Sequence, residues 1–383
     1  RTMILYACVT ATALGICQAA SITTLLLMAE LLILFMLPLV GDESKGAGSQ
    51  EREGAGDMER RTLLMHLYAA SRLCLLPAVI LTYLACGTLE FATAGNSGMF
   101  PQGGDPTFHT LIFGLFVAGL AISGLVPFHG WLVQAISGSS PITGFLAGPV
   151  AATAGTFALC RVMISGFGLE RIAELGLNQP LSWLGGAAVI LGALAALGRL
   201  DLKSIFAYCT LSQLGFSLIG VSLLNENGVT GALGNLAIFT LTGATLLMVV
   251  GAVQVGFPGQ GLVMMRGLGR RMPWTFGAMT AAGLTMIGLP PSAGFVDKNL
   301  LYTGVSARGD AFMGVVMIGG SLLLGGCLLR LFCTTFFQLP AKDVRLAEYR
   351  EARAGLVIPT CIMAISAIAL GCFPDLLLKL LGV

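Results

Sequence analysis

Residues 119–161 read GLAISGLVPFHGWLVQAISGSSPITGFLAGPVAATAGTFALCR, and this stretch decides the fold. It begins as an apolar helix, breaks at VPFH (126–129) and re-enters an apolar helix at Pro141, with a further proline at Pro149. Non-helical backbone at membrane depth is tolerated only where it is buried in protein or lines a water-filled cavity. Since discontinuous helices also point to transport sites, the stretch predicts broken membrane helices around such a site.

The composition is that of an integral membrane protein. Of the 383 residues, 56% are hydrophobic and 10% are charged, and the mean hydropathy is +0.87. Soluble domains carry about 25% charged residues, so little sequence remains for a soluble domain. The formal net charge of +2 indicates no particular partner, and we expect no nucleic-acid binding.

Cofactor and metal sites are not expected within this chain. The ten cysteines fall almost entirely in apolar runs and form no CxxC pair, which favours small apolar core residues over a metal or cluster site. No glycine-rich dinucleotide fingerprint follows a strand, so neither a nucleotide site nor a flavin site is predicted.

Eleven segments are apolar over the length, about 20 residues, that crosses a bilayer. They lie at roughly 3–20, 22–40, 62–87, 108–126, 141–165, 180–198, 203–223, 229–255, 274–297, 311–337 and 355–381. We therefore predict an all-α, polytopic transmembrane helix bundle that forms one domain over residues 1–383. The polar loop 41–61 between the second and third spans is either a solvated linker or a contact with a neighbouring subunit.

The two sides of this bundle differ in charge. The side that contains the N-terminus carries most of the lysines and arginines in the predicted loops, whereas the other side has only Arg171, Arg308 and Lys379. This asymmetry places the N-terminus on the cytoplasmic or matrix face. The chain opens on Arg1 instead of Met, so we expect an N-terminus that is processed or incomplete.

Glu30 lies in the middle of the second predicted span, in ITTLLLMAELLILFMLPLV. An ionisable side chain at the centre of a membrane helix costs about 2.5–3.5 kcal/mol on insertion scales. A carboxylate there must face protein or water. Glu30 is therefore a candidate for proton handling or for pairing with a cation; a passive helix–helix hydrogen bond is the alternative.

Three further candidates lie at helix breaks or helix starts. Lys298 follows the GLPP break in the ninth span, where it either takes part in transport or snorkels to the interface. Its neighbour Asp297 either pairs with a cation or is solvated. Lys203, in DLKSIFAYCTLSQLGF, either anchors a helix at the interface or takes part in the chemistry. His129, at the first break, either bonds a free backbone carbonyl or relays a proton.

The other cations and histidines within or near the predicted spans are interpreted as structural residues. Arg161 and Arg330 are predicted to be anchors or ion-pair partners near span ends. Arg72 lies deeper and needs an acidic partner, either Glu90 or Glu30. The histidines His66 and His109 lie near span ends, and no function is predicted for them.

Four motifs in order resemble the antiporter-like membrane subunits of proton-pumping NADH:quinone oxidoreductase, respiratory complex I. They are Glu30 followed by LPLVG, then PFHGWLVQAISGSSPITGFL, then DLKSIFAYCTLSQLGF, and finally IGLPPSAGFVDK, and together they cover residues 30–298. The second and fourth motifs look most like the subunit 2 type in its short, eleven-span form. Subunits 4 and 5 are the alternatives within this family. A cation/proton antiporter subunit and a bicarbonate-linked membrane complex are the alternatives outside complex I.

The resemblance implies an antiporter-like fold with broken helices and a place in the membrane arm. It implies that other subunits bind NADH, FMN, the iron–sulfur clusters and the quinone, and that this chain binds no cofactor. Its partners would be other membrane-arm subunits and lipids, cardiolipin among them. Its location would be the mitochondrial inner membrane with the N-terminus in the matrix, or the bacterial plasma membrane.

Two of the family's ionisable positions do not carry over. The resemblance makes Glu30 the half-channel glutamate and Lys298 the exit-side lysine. A lysine expected before Pro127 is replaced by Ile122, and the segment 147–154 (AGPVAATA) has no basic residue. Coupled titration needs ionisable neighbours. We therefore expect poor proton conduction or none by the family's usual route, and a structural role in the membrane arm.

Overall fold

The computed structural model describes residues 2–41, 53–91, 98–101, 104–120, 124, 126–256, 261–262, 265–339 and 350–381. Within these ranges the chain is mostly helical, and its β pairing is confined to isolated bridges such as Ser21–Glu90 and Asp201–Gly261. The all-α prediction is confirmed. The first half contains α1 (Thr2–Gln18), α2 (Ile22–Gly41), α3 (Glu53–Cys86), α4 (Pro106–Gly119), α5 (Gly130–Gly138), α6 (Pro141–Phe145), α7 (Thr153–Arg161) and α8 (Leu169–Glu174).

The second half consists of longer helices. They are α9 (Asn178–Gly198), α10 (Leu202–Ser222), α11 (Glu226–Gly256), α12 (Pro273–Ile287), α13 (Ala293–Arg308), α14 (Ala311–Phe336), α15 (Ala354–Cys372) and α16 (Pro374–Leu381). Seven helices or helical stretches of the described chain are long and apolar enough to cross a membrane, and shorter apolar helices occur in the first half. Nine of the eleven predicted spans each correspond to one such helix or continuous stretch.

The ninth predicted span, 274–297, is wrong in its boundaries because two helices replace it. α12 ends at Ile287, and Gly288 caps it in the left-handed conformation (φ 86°), with its N–H donating to the carbonyl of Leu284. Glycine adopts this conformation without a steric penalty. The chain then turns through Pro290-Pro291, and α13 begins at Ala293.

Two further boundaries differ from the prediction. Residues 53–61 form the start of α3, so the predicted linker 41–61 is wrong over this part; residues 42–52 lie outside the described ranges. Adding residues to an existing helix avoids the cost of nucleating a new one. The last predicted span is divided at Phe373, because Pro374 starts a new helix.

The central helix of the bundle is α10. Every residue of α10 except Ser204 and Tyr208 is buried. Its neighbours are α9 and α11 along most of its length, with α5, α7 and α14 beside it. A membrane helix enclosed in this way contacts protein on all sides, so its polar side chains must find their partners within the fold.

The segment around Pro149 remains helical, so the break predicted at this proline is wrong. Residues Leu146–Ala152 form a π-helix between α6 and α7. Proline has no N–H to donate, and a π-bulge accommodates the altered hydrogen bonding. The hydroxyl of Thr153 donates to the carbonyl of Pro149. At the first break, α4 ends at Gly119, earlier than the predicted residue 126.

Candidate functional site

Lys298 is buried inside the fold, in the second turn of α13. Only 2% of it is exposed, so the snorkelling alternative is wrong. Its Nζ lies 3.5 Å from the centre of the Phe216 ring in α10 and 3.5 Å from Ser321 Oγ in α14. A desolvated cation over an aromatic face gains about 2 kcal/mol. The lysine therefore joins three helices, close to the break at Pro290-Pro291.

Hydroxyl groups lie next to the ammonium group of the lysine, and the buried carboxylate of its neighbour Asp297 interacts with its charge. Tyr302 Oη lies 3.3 Å from Ser321 Oγ, so the ammonium and two hydroxyls form a chain. Among the described residues, no carboxylate oxygen lies within the 4.0 Å of Lys298 Nζ that defines an ion pair. A buried ionisable group of this kind marks ion pathways in membrane proteins.

Asp297 is as buried as the lysine, with 1% of it exposed, so the solvated alternative is wrong. Its Oδ1 accepts a hydrogen bond of 2.7 Å from the backbone N–H of Lys298. The carboxylate therefore lies against the backbone of α13, beyond the first turn of this helix.

A network of neutral polar side chains lies next to this lysine. Gln213 Nε2 donates to the carbonyl of Met286 at 3.1 Å, next to the end of α12. Asn235 Nδ2 of α11 donates to the carbonyl of Gln213 at 2.8 Å and to Ser217 Oγ at 2.7 Å. These side chains are buried. Sequence interpretation missed them; amides in the middle of apolar helices were the available signal.

Lys203 connects the start of α10 to the end of α5. It is 9% exposed, and its Nζ donates a 2.7 Å hydrogen bond to the carbonyl of Ser139. Ser139 directly follows α5, where the helix leaves unpaired carbonyls and favours a cation. This geometry supports the anchoring interpretation over a role in the chemistry.

Replacing Lys203 by methionine is expected to lower the free energy of unfolding by about 1.5–3 kcal/mol, since a hydrogen bond to a charged donor is lost and a carbonyl remains buried. Denaturant titration of the detergent-solubilised protein measures this change. Lys379→Met, at an exposed position on α16, is the matched control and should have little effect. Equal stability of the two variants would contradict the anchoring role.

Several polar side chains near the first break have an atom without a hydrogen-bond partner among the described residues. His129 is half-buried, and neither its Nδ1 nor the buried Trp131 Nε1 has a hydrogen-bond partner among the described residues. The same holds for Gln134 Oε1. The predicted bond from His129 to a free carbonyl is therefore not formed through Nδ1. Buried polar atoms are usually paired, so this junction keeps hydrogen-bonding capacity.

Glu30 lies in α2, and 8% of it is exposed. It is buried as predicted, and its role stays a prediction. The segment 147–154 is packed with small side chains: Ala147, Ala151 and Ala152 are fully buried. No base from this segment can bridge Glu30 and Lys298. Ile122 lies outside the described residues.

The remaining predicted anchors bind backbone carbonyls. Arg161 Nη1 donates to the carbonyl of Cys17 at 2.9 Å, and Arg330 Nη1 donates to the carbonyl of Leu197 at 2.7 Å. Both guanidinium groups thus join helices. The side chain of Arg72 lies outside the described residues. Within the described part of the chain, no group of three or more His, Cys, Asp or Glu side chains could hold a metal ion.

A cluster that the sequence did not predict surrounds Arg171 in α8. Its Nη2 donates to the carbonyl of Gly104 at 2.8 Å, and the same guanidinium lies 2.9 Å from Nδ1 of the buried His109. Its Nη1 contacts Glu174 at 2.8 Å. The cluster joins α4, α8 and the segment before α4, on the side of the bundle with few cations.

Comparison with known proteins places this architecture in a family. The family model described as "NADH:quinone oxidoreductase/Mrp antiporter, TM" matches residues 19–323. The chain belongs to this family. The antiporter-like fold that the four motifs implied is thereby confirmed, because the matched region includes Glu30, both helix breaks and Lys298.

Individual members of the NADH:quinone oxidoreductase/Mrp antiporter family are distant in sequence. NADH-quinone oxidoreductase subunit N of Desulforudis audaxviator is 28% identical over 306 residues, which are 76% of this chain and 60% of that protein. The chain thus spans less than two thirds of this relative. Subunit N of Thiobacillus denitrificans is 28% identical, over 92% of this chain and 74% of that protein.

Two solved structures share the fold. A chain of the Mrp complex from Dietzia superposes with a TM-score of 0.85 at 22% identity, covering 98% of this chain and 75% of that one. A chain of respiratory complex I from Thermus thermophilus gives a TM-score of 0.78 at 21% identity, with 99% and 79% covered. At these identities the likeness concerns the fold alone.

Proposed function

We propose that this chain is a membrane-arm subunit of an NADH:quinone oxidoreductase, of the subunit 2 or N type, without redox chemistry of its own. The printed names of the bacterial relatives support this assignment, as do the PFH-x-W, SPITGFL and GLPP motifs. Other subunits of the assembly bind NADH, FMN, iron–sulfur clusters and quinone. Other membrane-arm subunits and lipids are its partners.

Its location is an energy-transducing membrane. The bacterial relatives support the plasma membrane, and the mitochondrial inner membrane is the alternative. In both cases the loop charges place the N-terminus on the cytoplasmic or matrix side.

Within that arm, the subunit supports the structure and does not carry a complete proton path. The observation behind this is the contrast between the two halves of the site. Lys298 is kept in a buried chain of hydroxyls, whereas 147–154 contains only neutral residues. Ionisable groups that titrate together must lie close enough to perturb each other's pKa. The segment 147–154 supplies no base that could stand between Glu30 of α2 and Lys298 of α13.

Purification of the native assembly tests the first part of the proposal. Co-purification with subunits that carry flavin and iron–sulfur clusters is the expected result. An assembly that lacks redox centres and exchanges sodium for protons across vesicles would instead support the second candidate, a cation/proton antiporter subunit. The observation that favours that candidate is the matching family model, whose description names the Mrp antiporter beside NADH:quinone oxidoreductase.

The Lys298→Met variant tests the second part. We expect NADH oxidation and the number of protons moved per electron to equal those of the wild-type assembly. Because the change leaves the buried Asp297 without this neighbouring positive charge, which costs stability, gel filtration in detergent first establishes that the variant is folded. Asn299→Leu, at an exposed position on the same helix, is the control. A lower proton-to-electron ratio in Lys298→Met alone would show a working path through this subunit.

A further inference from the structure

A cavity of about 720 Å³ opens beside the candidate site, between α12, α13 and α14. Glycines make room for it on two of the three helices. At Gly326 an added Cβ would meet no atom within 4 Å, and at Gly325 the nearest atom would be 3.8 Å away. Residues on its wall include Gly283, Ile287, Tyr302, Ser321, Gly325 and Gly326.

The mouth of the cavity is apolar and faces outward. Leu284 is 40% exposed, Leu322 is 71% exposed and Leu329 is 60% exposed, and all three line the cavity. In a helix that crosses a bilayer, exposed leucines of this kind contact hydrocarbon or another protein chain. The cavity is therefore reached from within the membrane.

The inner end of the cavity is polar. Ser321 and Tyr302 are on its wall, and their hydroxyl oxygens lie 3.3 Å apart. Directly behind Ser321 lies Lys298, whose Nζ is 3.5 Å from the serine Oγ. Two hydroxyls and an ammonium group thus converge on one point at the end of an apolar cavity. A few convergent polar groups in an apolar pocket are what fixes the orientation of a small ligand.

We propose that this cavity binds a long-chain fatty acid, with its hydrocarbon chain between α12 and α14 and its carboxyl group against Ser321 and Tyr302. The carboxyl oxygens accept hydrogen bonds from the two hydroxyls. They also bring a negative group, in addition to Asp297, near Lys298, whose Nζ has no carboxylate oxygen of the described residues within 4.0 Å. This inference concerns the cavity alone and does not depend on the proposed place of the chain in an oxidoreductase.

A whole helix of a neighbouring subunit is too large to lie inside the cavity. A membrane helix about 30 Å long and about 10 Å wide fills roughly 2,400 Å³, several times the volume available. A single extended chain or a ligand of comparable size fits cavities of about 300–1,000 Å³.

The depth of the polar end favours a free fatty acid over a phospholipid. Ser321 is the eleventh residue of the 26-residue helix α14, so it lies roughly 15 Å from the start of that helix. A phospholipid keeps its head group and ester bonds at the membrane surface, and only its methyl end reaches this depth. A fatty acid can bring its one small head group to mid-membrane, where the hydroxyls and the ammonium compensate its desolvation.

Photolabelling of the intact protein in native membranes tests the proposal. The probe is hexadecanoic acid with a diazirine in its chain, and labelled residues are located by mass spectrometry. We expect labelling of the α12 and α14 residues around the cavity, and displacement by excess hexadecanoic acid but not by hexadecane. Equal displacement by hexadecane would overturn the proposed recognition of the carboxyl group.

Variants of α14 supply the matched comparison. Gly326→Leu fills the cavity and should lower the labelling of its walls at least tenfold. Gly319→Leu adds the same side chain to the same helix, at a position that does not line the cavity and where a Cβ would likewise meet no atom within 4 Å; it should leave labelling unchanged. Ser321→Ala should weaken binding of the acid. Labelling that is the same in Gly326→Leu and Gly319→Leu would overturn the site itself.

Discussion

Replacing Gly294 by alanine is expected to abolish assembly of the protein in the membrane. A Cβ at this position would overlap the carbonyl oxygen of Thr285 and would lie 2.8 Å from its carbonyl carbon. Both are backbone atoms at the end of α12, so no side-chain rotation relieves the overlap. The start of α13 would have to move by more than an ångström in a close-packed interior.

The expected cost is roughly 4 kcal/mol or more, in the range that only severe steric conflicts reach. The measurement is the amount of folded protein in the membrane fraction, followed by gel filtration in detergent. Gly277→Ala is the control, since it lies in α12, where a Cβ would meet nothing within 4 Å. It should be neutral or stabilising, by up to about 1 kcal/mol. Normal assembly of Gly294→Ala would show that α12 and α13 do not meet as described.

The same junction shows what the sequence could predict. The prolines at 290–291 and the lysine at 298 were visible as a break beside a charge, and the structure places a buried cation there. The end of α12 at Ile287 and the left-handed Gly288 that caps it were not predicted. An apolar pattern gives the length of a span, whereas the exact end of each helix depends on capping and on the close approach of backbone from other elements.

Pro149 is a second instructive case. A proline within an apolar run predicts a kink or an end of the helix, because it removes a donor. Here the helix widens into π geometry and continues, and Thr153 binds the proline carbonyl. Neither the widened turn nor this compensation has a sequence pattern that distinguishes it from a break.

Polar groups that meet across the fold were the least predictable. Gln213 and Asn235 are neutral and therefore escape a search for membrane charges, yet they connect α10, α11 and α12. Lys203 was visible as a charge, but its partner is a backbone carbonyl 64 residues earlier in the chain. A single sequence does not reveal such contacts, because they depend on which helices become neighbours.

The Arg171 cluster is the clearest of these long-range contacts, and it leads to a second large effect. Arg171 is 7% exposed, and it binds a histidine and a carbonyl that lie 62 and 67 residues away in sequence. Arg171→Met would leave the carbonyl of Gly104 and Nδ1 of His109 buried without their donor. We expect the free energy of unfolding to fall by about 3 kcal/mol.

Glu174 provides the internal control for this cluster. Its contact with Arg171 is short, at 2.8 Å, but 50% of the glutamate side chain is exposed. A half-exposed ion pair contributes less than about 1 kcal/mol because solvent screens it, so Glu174→Gln should change stability little. Arg171→Lys should lie between the two, since a lysine has no planar fork to reach both acceptors. Denaturant titration of the three variants in detergent gives the comparison. If Glu174→Gln were as destabilising as Arg171→Met, the surface ion pair would be the source of stability, and the buried contacts with His109 and Gly104 would contribute little.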